Sequence, residues 1–437
     1  MMVSRQGTSE EPFLHWMRRE WCLVLITTGV GLDWLPAVLA SPESPKLDQL
    51  SGTKLLILPG LALAFVLRRT WVVKPHPLAV AYLGTLLIGG GMGWLAGNVD
   101  MWRLTAVAVN GFILLYFLKL RSLVSIKRIL VITFVLSILI PVIQWLTKLG
   151  IVAKDNVEQG PGFERVFSIF DSTTVGFAPL MIAACLGGLI FVHGRRQRVM
   201  VNALLAVGIV TLGLTGALLA AQRSGVLAYA ATVLIALVLY SISERKRLMW
   251  VMKLSVVLVV AVFVAIFCLQ DVANSLQARV TDSYALDDAV KLRLGGITTF
   301  LSDLLNPLDL VPKGHQSLFD RTGIEPHLLL SEAYYEGGPL FLAAVVAILI
   351  RFGLACVALR RSSDATARTI GTCLCAFGCG AAIQLSLQTG LVLRLLPVVL
   401  GVGIAAHRIM GSEAGRKRSI AEFAHVRGRY PLKQGAR

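Results

Sequence analysis

Residues 129–146 read Ile-Leu-Val-Ile-Thr-Phe-Val-Leu-Ser-Ile-Leu-Ile-Pro-Val-Ile-Gln-Trp-Leu, without one charged side chain. An apolar run of roughly 17–25 residues spans the hydrocarbon core of a bilayer as a helix. Lys127 and Arg128 bound this run on one side and Lys148 on the other. Comparable runs lie at about 21–40, 53–67, 77–97, 101–118, 173–192, 199–220, 224–241, 249–269, 339–358, 369–388 and 391–407, which predicts about twelve spans. Only 15% of residues are charged and mean hydropathy is +0.72, whereas soluble domains carry about 25% charged residues. Backbone polar groups must be satisfied internally in lipid, and closed barrels alternate instead of running apolar, so the spans are helices. The expected fold is an all-α polytopic integral membrane protein.

The charges orient it. With the N-terminus inside, one set of loops collects Arg5, Arg18 and Arg19, then Arg68, Arg69 and Lys74, then Lys119, Arg121, Lys127 and Arg128. Arg195, Arg196, Arg198, Arg245, Lys246, Arg247, Arg360, Arg361 and Arg368 continue that set, and the tail adds eight basic residues from Arg408 to Arg437. The bias follows the positive-inside rule and places both termini in the cytoplasm. The net charge of +17 is thus spread beside apolar spans, where it faces anionic headgroups and not nucleic acid. The polar start, Met1 to Pro12, has no small-residue cleavage site after the first apolar run, so that span is expected to remain as an anchor.

The seven cysteines fall in or at the edge of apolar spans, where small polarizable side chains suit helix packing. Cys373, Cys375 and Cys379 have no histidine or carboxylate in their span, so no metal site is expected. Gly89-Gly90-Gly91 with Gly93 lies within a span, which predicts a close helix approach or a kink. Walker, dinucleotide-binding and HExxH patterns are absent.

One long polar segment, 270–337, interrupts the hydrophobic chain on the outer side. It divides the chain into helices over 1–269, a catalytic loop over 270–338, three helices over 339–408 and a basic cytoplasmic tail over 409–437. Outer-face arginines run against the positive-inside preference: Arg165, Arg223 (in Gln222-Arg223-Ser224-Gly225), Arg279 and Arg293. Each has an ordinary reading, snorkelling to headgroups. Together they predict a site for an anionic lipid headgroup such as a diphosphate, held by charge-assisted bonds. His327 is either structural or a general base with a pKa suited to neutral pH. Pro326 can open a helix there and would set His327 near an N-terminus. His315 is the weaker candidate.

The order Phe163-x-Arg165, Phe170-Asp171-Ser172-Thr173, the Gln222-Arg223-Ser224-Gly225 hairpin, a long outer loop, then His327 and Glu336-Gly337-Gly338-Pro339-Leu340 resembles the O-antigen ligase/polymerase superfamily. These membrane glycosyltransferases act on undecaprenyl-diphosphate-linked glycans. The likeness covers about 160–345. It implies a GT-C-like architecture in the bacterial inner membrane, with the long loop and active site facing the periplasm. It also implies an inverting, metal-independent transfer that needs no cofactor. Arg165, Arg223 and either Arg279 or Arg293 would bind the donor's diphosphate. His327 would deprotonate the acceptor hydroxyl, with Glu325, Glu332 or Glu336 orienting its imidazole. The family commonly has Asn after the histidine, where this chain has Leu328. The acceptor is either another lipid-linked glycan, for a polymerase, or a lipid A core, for a ligase; polymerase is the preferred expectation. A lipid-linked glycan flippase or other transporter is the rival of a different class.

Overall fold

In the computed structural model the described residues are 12–31, 52–67, 75–151, 157–160, 163–166, 177–185, 199–220, 223–243, 283–306, 311–323, 328–386 and 393–429. Their helices are α1 (Phe13–Arg19), α2 (Trp21–Gly31), α3 (Gly52–Leu67), α4 (Pro77–Leu95), α5 (Met101–Leu118) and α6 (Leu123–Lys148). A two-stranded antiparallel hairpin follows, β1 (Val157–Gly160) and β2 (Phe163–Val166). Beyond a short helical stretch at 177–185 come α7 (Val199–Leu219), α8 (Arg223–Ser243), α9 (Ser283–Leu304) and α10 (Gly314–Thr322). The chain closes with α11 (Leu329–Arg360), α12 (Ala365–Leu385) and α13 (Leu395–Arg429).

Six of these helices are long and apolar enough to cross a membrane: α4, α5, α6, α11, α12 and the Leu395–Ser412 part of α13. Their exposed faces are apolar too. Val131, Val135, Leu139 and Val142 form one exposed stripe along α6, and Ile350, Leu354 and Val357 form another on α11. A helix apolar on both its packed and its exposed faces has lipid as its solvent. The protein is a helical membrane protein. Among the shorter apolar helices are Trp21–Val30, Gly208–Leu219 and Ser224–Leu239. The predicted span at 249–269 lies outside the described residues.

Helix α11 is the central post, packed against α4, α12 and α13; α8 packs on α12, and α5 on α13. The contact between α4 and α11 depends on glycine. A Cβ on Gly89 would overlap the carbonyl oxygen of Gly337, so the backbones meet with no side chain between them. This is the close approach that the glycine run suggested, and a mechanism known for helices in lipid.

Two boundaries differ from the sequence reading. The span placed at 339–358 belongs to a helix that begins ten residues earlier, at Leu329, and breaks inside at Gly338 (φ 75°, ψ −176°). That φ is left-handed and suits glycine. Pro339 then restarts the helix, a place where its missing N–H costs nothing. At the other boundary, α13 runs helical through the tail to Arg429. The polar segment is also not one open loop: α9 and α10 are folded within it.

Candidate functional site

Polar side chains gather at one end of the helical body, around the start of α11. The first turns of α11 carry Glu332 and Glu336, both essentially inaccessible to solvent. Glu332 lies in the first turn, where the helix dipole favours a carboxylate. Helix α5 starts nearby because Asp100 caps it, accepting a bond from the Trp102 N–H at 3.0 Å. That start brings in Arg103. Its Nη2 donates to Glu332 Oε1 at 3.1 Å, and its Nε pairs with Glu336 Oε1. Nδ1 of His315, on α10, stands 4.0 Å from the same Glu336 oxygen. One guanidinium therefore serves two buried carboxylates, with an imidazole as the next basic group.

Gly314 lets α10 come this close. Its φ is 76°, and a Cβ there would overlap the carbonyl oxygen of Asn98. Asn98 in turn donates from Nδ2 to the Pro312 carbonyl at 3.1 Å. The short link between α4 and α5 thus anchors the entry to α10.

A second knot ties α9 and α10 to α11. Asp303 of α9 accepts from Arg321 through two bonds, Nη1 to Oδ1 at 3.0 Å and Nη2 to Oδ2 at 2.6 Å. Lys313 Nζ donates to Oδ1 at 3.1 Å and the Tyr335 hydroxyl to Oδ2 at 2.6 Å. The Tyr334 hydroxyl donates to the Asp303 backbone carbonyl at 3.0 Å. Burial pushes the Asp303 carboxyl up, but the bonds from Arg321, Tyr335 and Lys313 outweigh it and hold the group well below the usual carboxylate range. The paired carboxylate correspondingly raises the Arg321 guanidinium, against a smaller effect of burial.

The opposite end is basic. His76 caps α4, its Nδ1 accepting from the Leu78 N–H at 3.3 Å. Arg408 reaches from α13 to donate to the Leu120 carbonyl at 2.6 Å. Burial lowers the His76 pKa, and Arg408, Lys119 and Arg351 lower it further. Lys119 is lowered by burial and then by Arg408 and Arg121.

The structure brings together only some of the residues singled out in sequence. Glu332 and Glu336 are joined, through Arg103 and beside His315. Arg293 is exposed on α9. Arg165 sits on β2 opposite Glu158, and Arg223 opens α8; the side chains of both fall outside what is described. Arg279, Glu325 and His327 lie outside the described residues. Described chain resumes at Leu328, directly after His327, where its carbonyl accepts from Ser331 Oγ at 2.8 Å and from the Glu332 N–H at 2.9 Å.

Sequence reasoning missed Arg103, although a signal was present. Arg103 follows the link Asn98-Val99-Asp100, which the expected topology puts on the same side as the arginines singled out by the positive-inside rule. Asp303 offered no such signal. Arg394, at the head of α13, is also buried. It stands about 21 Å up the helix from Arg408 at ~1.5 Å per residue, on the side of the body away from the basic end. Among the described residues no group of three or more His, Cys, Asp or Glu could hold a metal ion. No protein-family model matches the chain, and no curated protein matches it either.

Proposed function

We propose that this chain is a membrane glycosyltransferase that moves a glycan from undecaprenyl diphosphate to an acceptor sugar hydroxyl in cell-surface polysaccharide assembly, as an O-antigen or exopolysaccharide polymerase. The proposal includes about twelve spans, both termini in the cytoplasm of a bacterial inner membrane, and an active site facing the periplasm. One observation carries it: the buried Arg103–Glu332–Glu336 cluster with His315 lies at one end of the apolar helices, opposite the basic end.

Helix length supports a position for that cluster at one membrane surface. From Pro339, where the helix restarts after its break, to Arg360 the axial rise is about 32 Å at ~1.5 Å per residue. A hydrocarbon core is about 30 Å thick, so with Arg360 at one surface Glu336 emerges at the other. Diphosphate headgroups lie at that depth.

In the proposed mechanism Arg165, Arg223 and Arg279 or Arg293 bind the donor diphosphate and stabilise the charge that grows on it as the glycosidic bond breaks. A histidine takes the proton of the acceptor hydroxyl, and the oxygen attacks the anomeric carbon from the opposite face. His327 is the base favoured by sequence. His315 gains standing from its position, its Nδ1 4.0 Å from Glu336 Oε1, where the carboxylate can orient the ring. Arg103 holds Glu332 and Glu336 in place from the α5 side.

The broken helix at Gly338 and the buried charges beside it favour a second reading, a lipid-linked glycan flippase, because interrupted helices form substrate sites in transporters. Those sites lie near the bilayer midplane, and the length of α11 argues for the interface instead.

Purified protein incubated with undecaprenyl-diphosphate oligosaccharide tests the choice. Glycan ladders formed without lipid A core support the polymerase, and transfer only when core is supplied supports an O-antigen ligase. No transfer under either condition, with donor movement across vesicles, overturns the enzyme reading. Within the enzyme reading, His327→Ala is expected to abolish ladders. If it leaves them intact while His315→Ala abolishes them, the base is His315.

A further inference from the structure

Helix α9 is too rich in charge to be a membrane span, yet it carries an exposed apolar stripe. Leu294, Ile297, Leu301, Leu304 and Leu305 are all exposed, Leu301 at 48% and Leu305 at 82%. At 3.6 residues per turn these five positions fall within an arc of about 100°. An adjoining side of the helix faces the protein. Phe300 and Asp303 are buried there, with the Phe300 ring edge-on to Tyr334 at 5.7 Å between centroids.

The stripe is bordered by positive charge. Arg293 and Lys291, both exposed, project onto opposite edges of the apolar arc by the same helical spacing. An apolar stripe edged with basic residues is the pattern of a helix that lies in the plane of a membrane surface.

Its height fits as well. Asp303 is bonded to Tyr335, the neighbour of Glu336, and so α9 is docked where α11 reaches the edge of the hydrocarbon. At the same end Trp94, Leu95, Met101 and Trp102 are exposed on the tips of α4 and α5. Tryptophans at the tips of membrane helices mark the headgroup level. The Asn98–Pro312 bond ties those tips to the segment that leads into α10.

We propose that α9 lies in the lipid–water interface, its Leu294-to-Leu305 face set among the acyl chains of the adjacent leaflet and Lys291 and Arg293 on lipid phosphates. The Asp303 knot then fastens the membrane-bound helix to α10 and α11, and the polar segment is anchored in the leaflet at its α9 side. This placement holds whichever reaction the protein performs.

Nitroxide labels on the full chain in nanodiscs containing anionic phospholipid test it. Labels are placed one at a time at Leu294→Cys, Ile297→Cys, Leu301→Cys and Ser302→Cys, with the native cysteines replaced. Molecular oxygen is expected to relax the labels at 294, 297 and 301 at least threefold more than a water-soluble nickel chelate does, with the order reversed at 302. Equal nickel access at 301 and 302 overturns the proposal. So does loss of access to both reagents at 301, which would mean that a second copy of the chain covers the stripe. Because cysteine replacement can harm folding, a second measurement keeps them: a photoreactive benzoylphenylalanine at Leu301 should form lipid adducts by mass spectrometry, and one at Ser302 should not. Absence of lipid adducts at 301 in the intact protein likewise refutes it.

Discussion

The two ends of the helical body handle charge in opposite ways. At the α11 start, the charged side chains of Arg103, Glu332 and Glu336 are drawn inward and paired, and Asp303 holds both Lys313 and Arg321. At the other end, cations crowd each other: Arg408, Lys119 and Arg351 all bear on His76, after the larger effect of its burial. Crowded cations suit a surface of anionic lipid, which supplies the missing negative charge from outside. Buried, internally matched charge does not need that supply. It is costly to hold out of water, and its usual return is a fixed geometry at a working site.

The contrast can be broken most sharply at Arg103. Arg103→Ala leaves two buried carboxylates without their shared cation, and removing one partner of a buried pair costs about 3–5 kcal/mol. The expected result is a large drop in the thermal midpoint in detergent, partly restored in the double variant that adds Glu336→Gln. Equal midpoints for wild type and Arg103→Ala would show that the pairing does not stabilise the fold.

Next in size is the glycine contact beneath the cluster. Gly89→Val drives a side chain into the Gly337 carbonyl, and overpacking of this kind costs about 1–3 kcal/mol. A lower midpoint is expected together with loss of the proposed transfer activity, since the displaced backbone carries Glu336. Gly91→Ala is the control, because a Cβ there meets open space.

The Asp303 knot should matter less, since Arg321 is 40% exposed and solvent screens such pairs. Asp303→Asn is expected to cost about 1–2 kcal/mol, the lower part of the ~1.5–3 kcal/mol range for hydrogen bonds to a charged group, discounted for exposure. The pH dependence gives its sign. A carboxyl whose folded pKa is depressed contributes fully above its unfolded value near 3.9, and that contribution fades as pH falls from there toward the lower folded value. Wild type should therefore lose more stability than Asp303→Asn in acid urea titrations below about pH 4.

The smallest effect belongs to the basic end. The lowered pKa of His76 means that the unfolded chain takes up a proton first as pH falls below about 6.5. Stability should thus decline between that pH and the folded value. In His76→Asn, which keeps a capping side chain for α4, the decline should become shallower while the rest of the profile stays unchanged.

Much of the architecture was readable in the chain because it follows from local composition. A run such as 129–146 needs only its own side chains to become a membrane helix. The described helices α4 to α6 and α11 to α13 all overlap runs legible in this way. The glycines at 89–93 announced a close approach for the same reason, since the absence of a side chain is a local fact. Glu332 and Glu336 could be named as candidates, but not with their partner.

Arg103 and Glu332 are separated by 229 positions, and only the packing of α4 against α11, with α5 beside α4, brings them to one place. Helix α9 shows the same limit. Its charges mark it in sequence as part of a polar loop, and it took the tertiary fold to decide which face is buried by Tyr334 and which is left apolar and exposed. Sequence by itself determined that this is a helical membrane protein, because hydropathy over one turn after another is a sum over neighbours. Which charges meet is a matter of distances between remote segments, and that was decided by the tertiary structure alone.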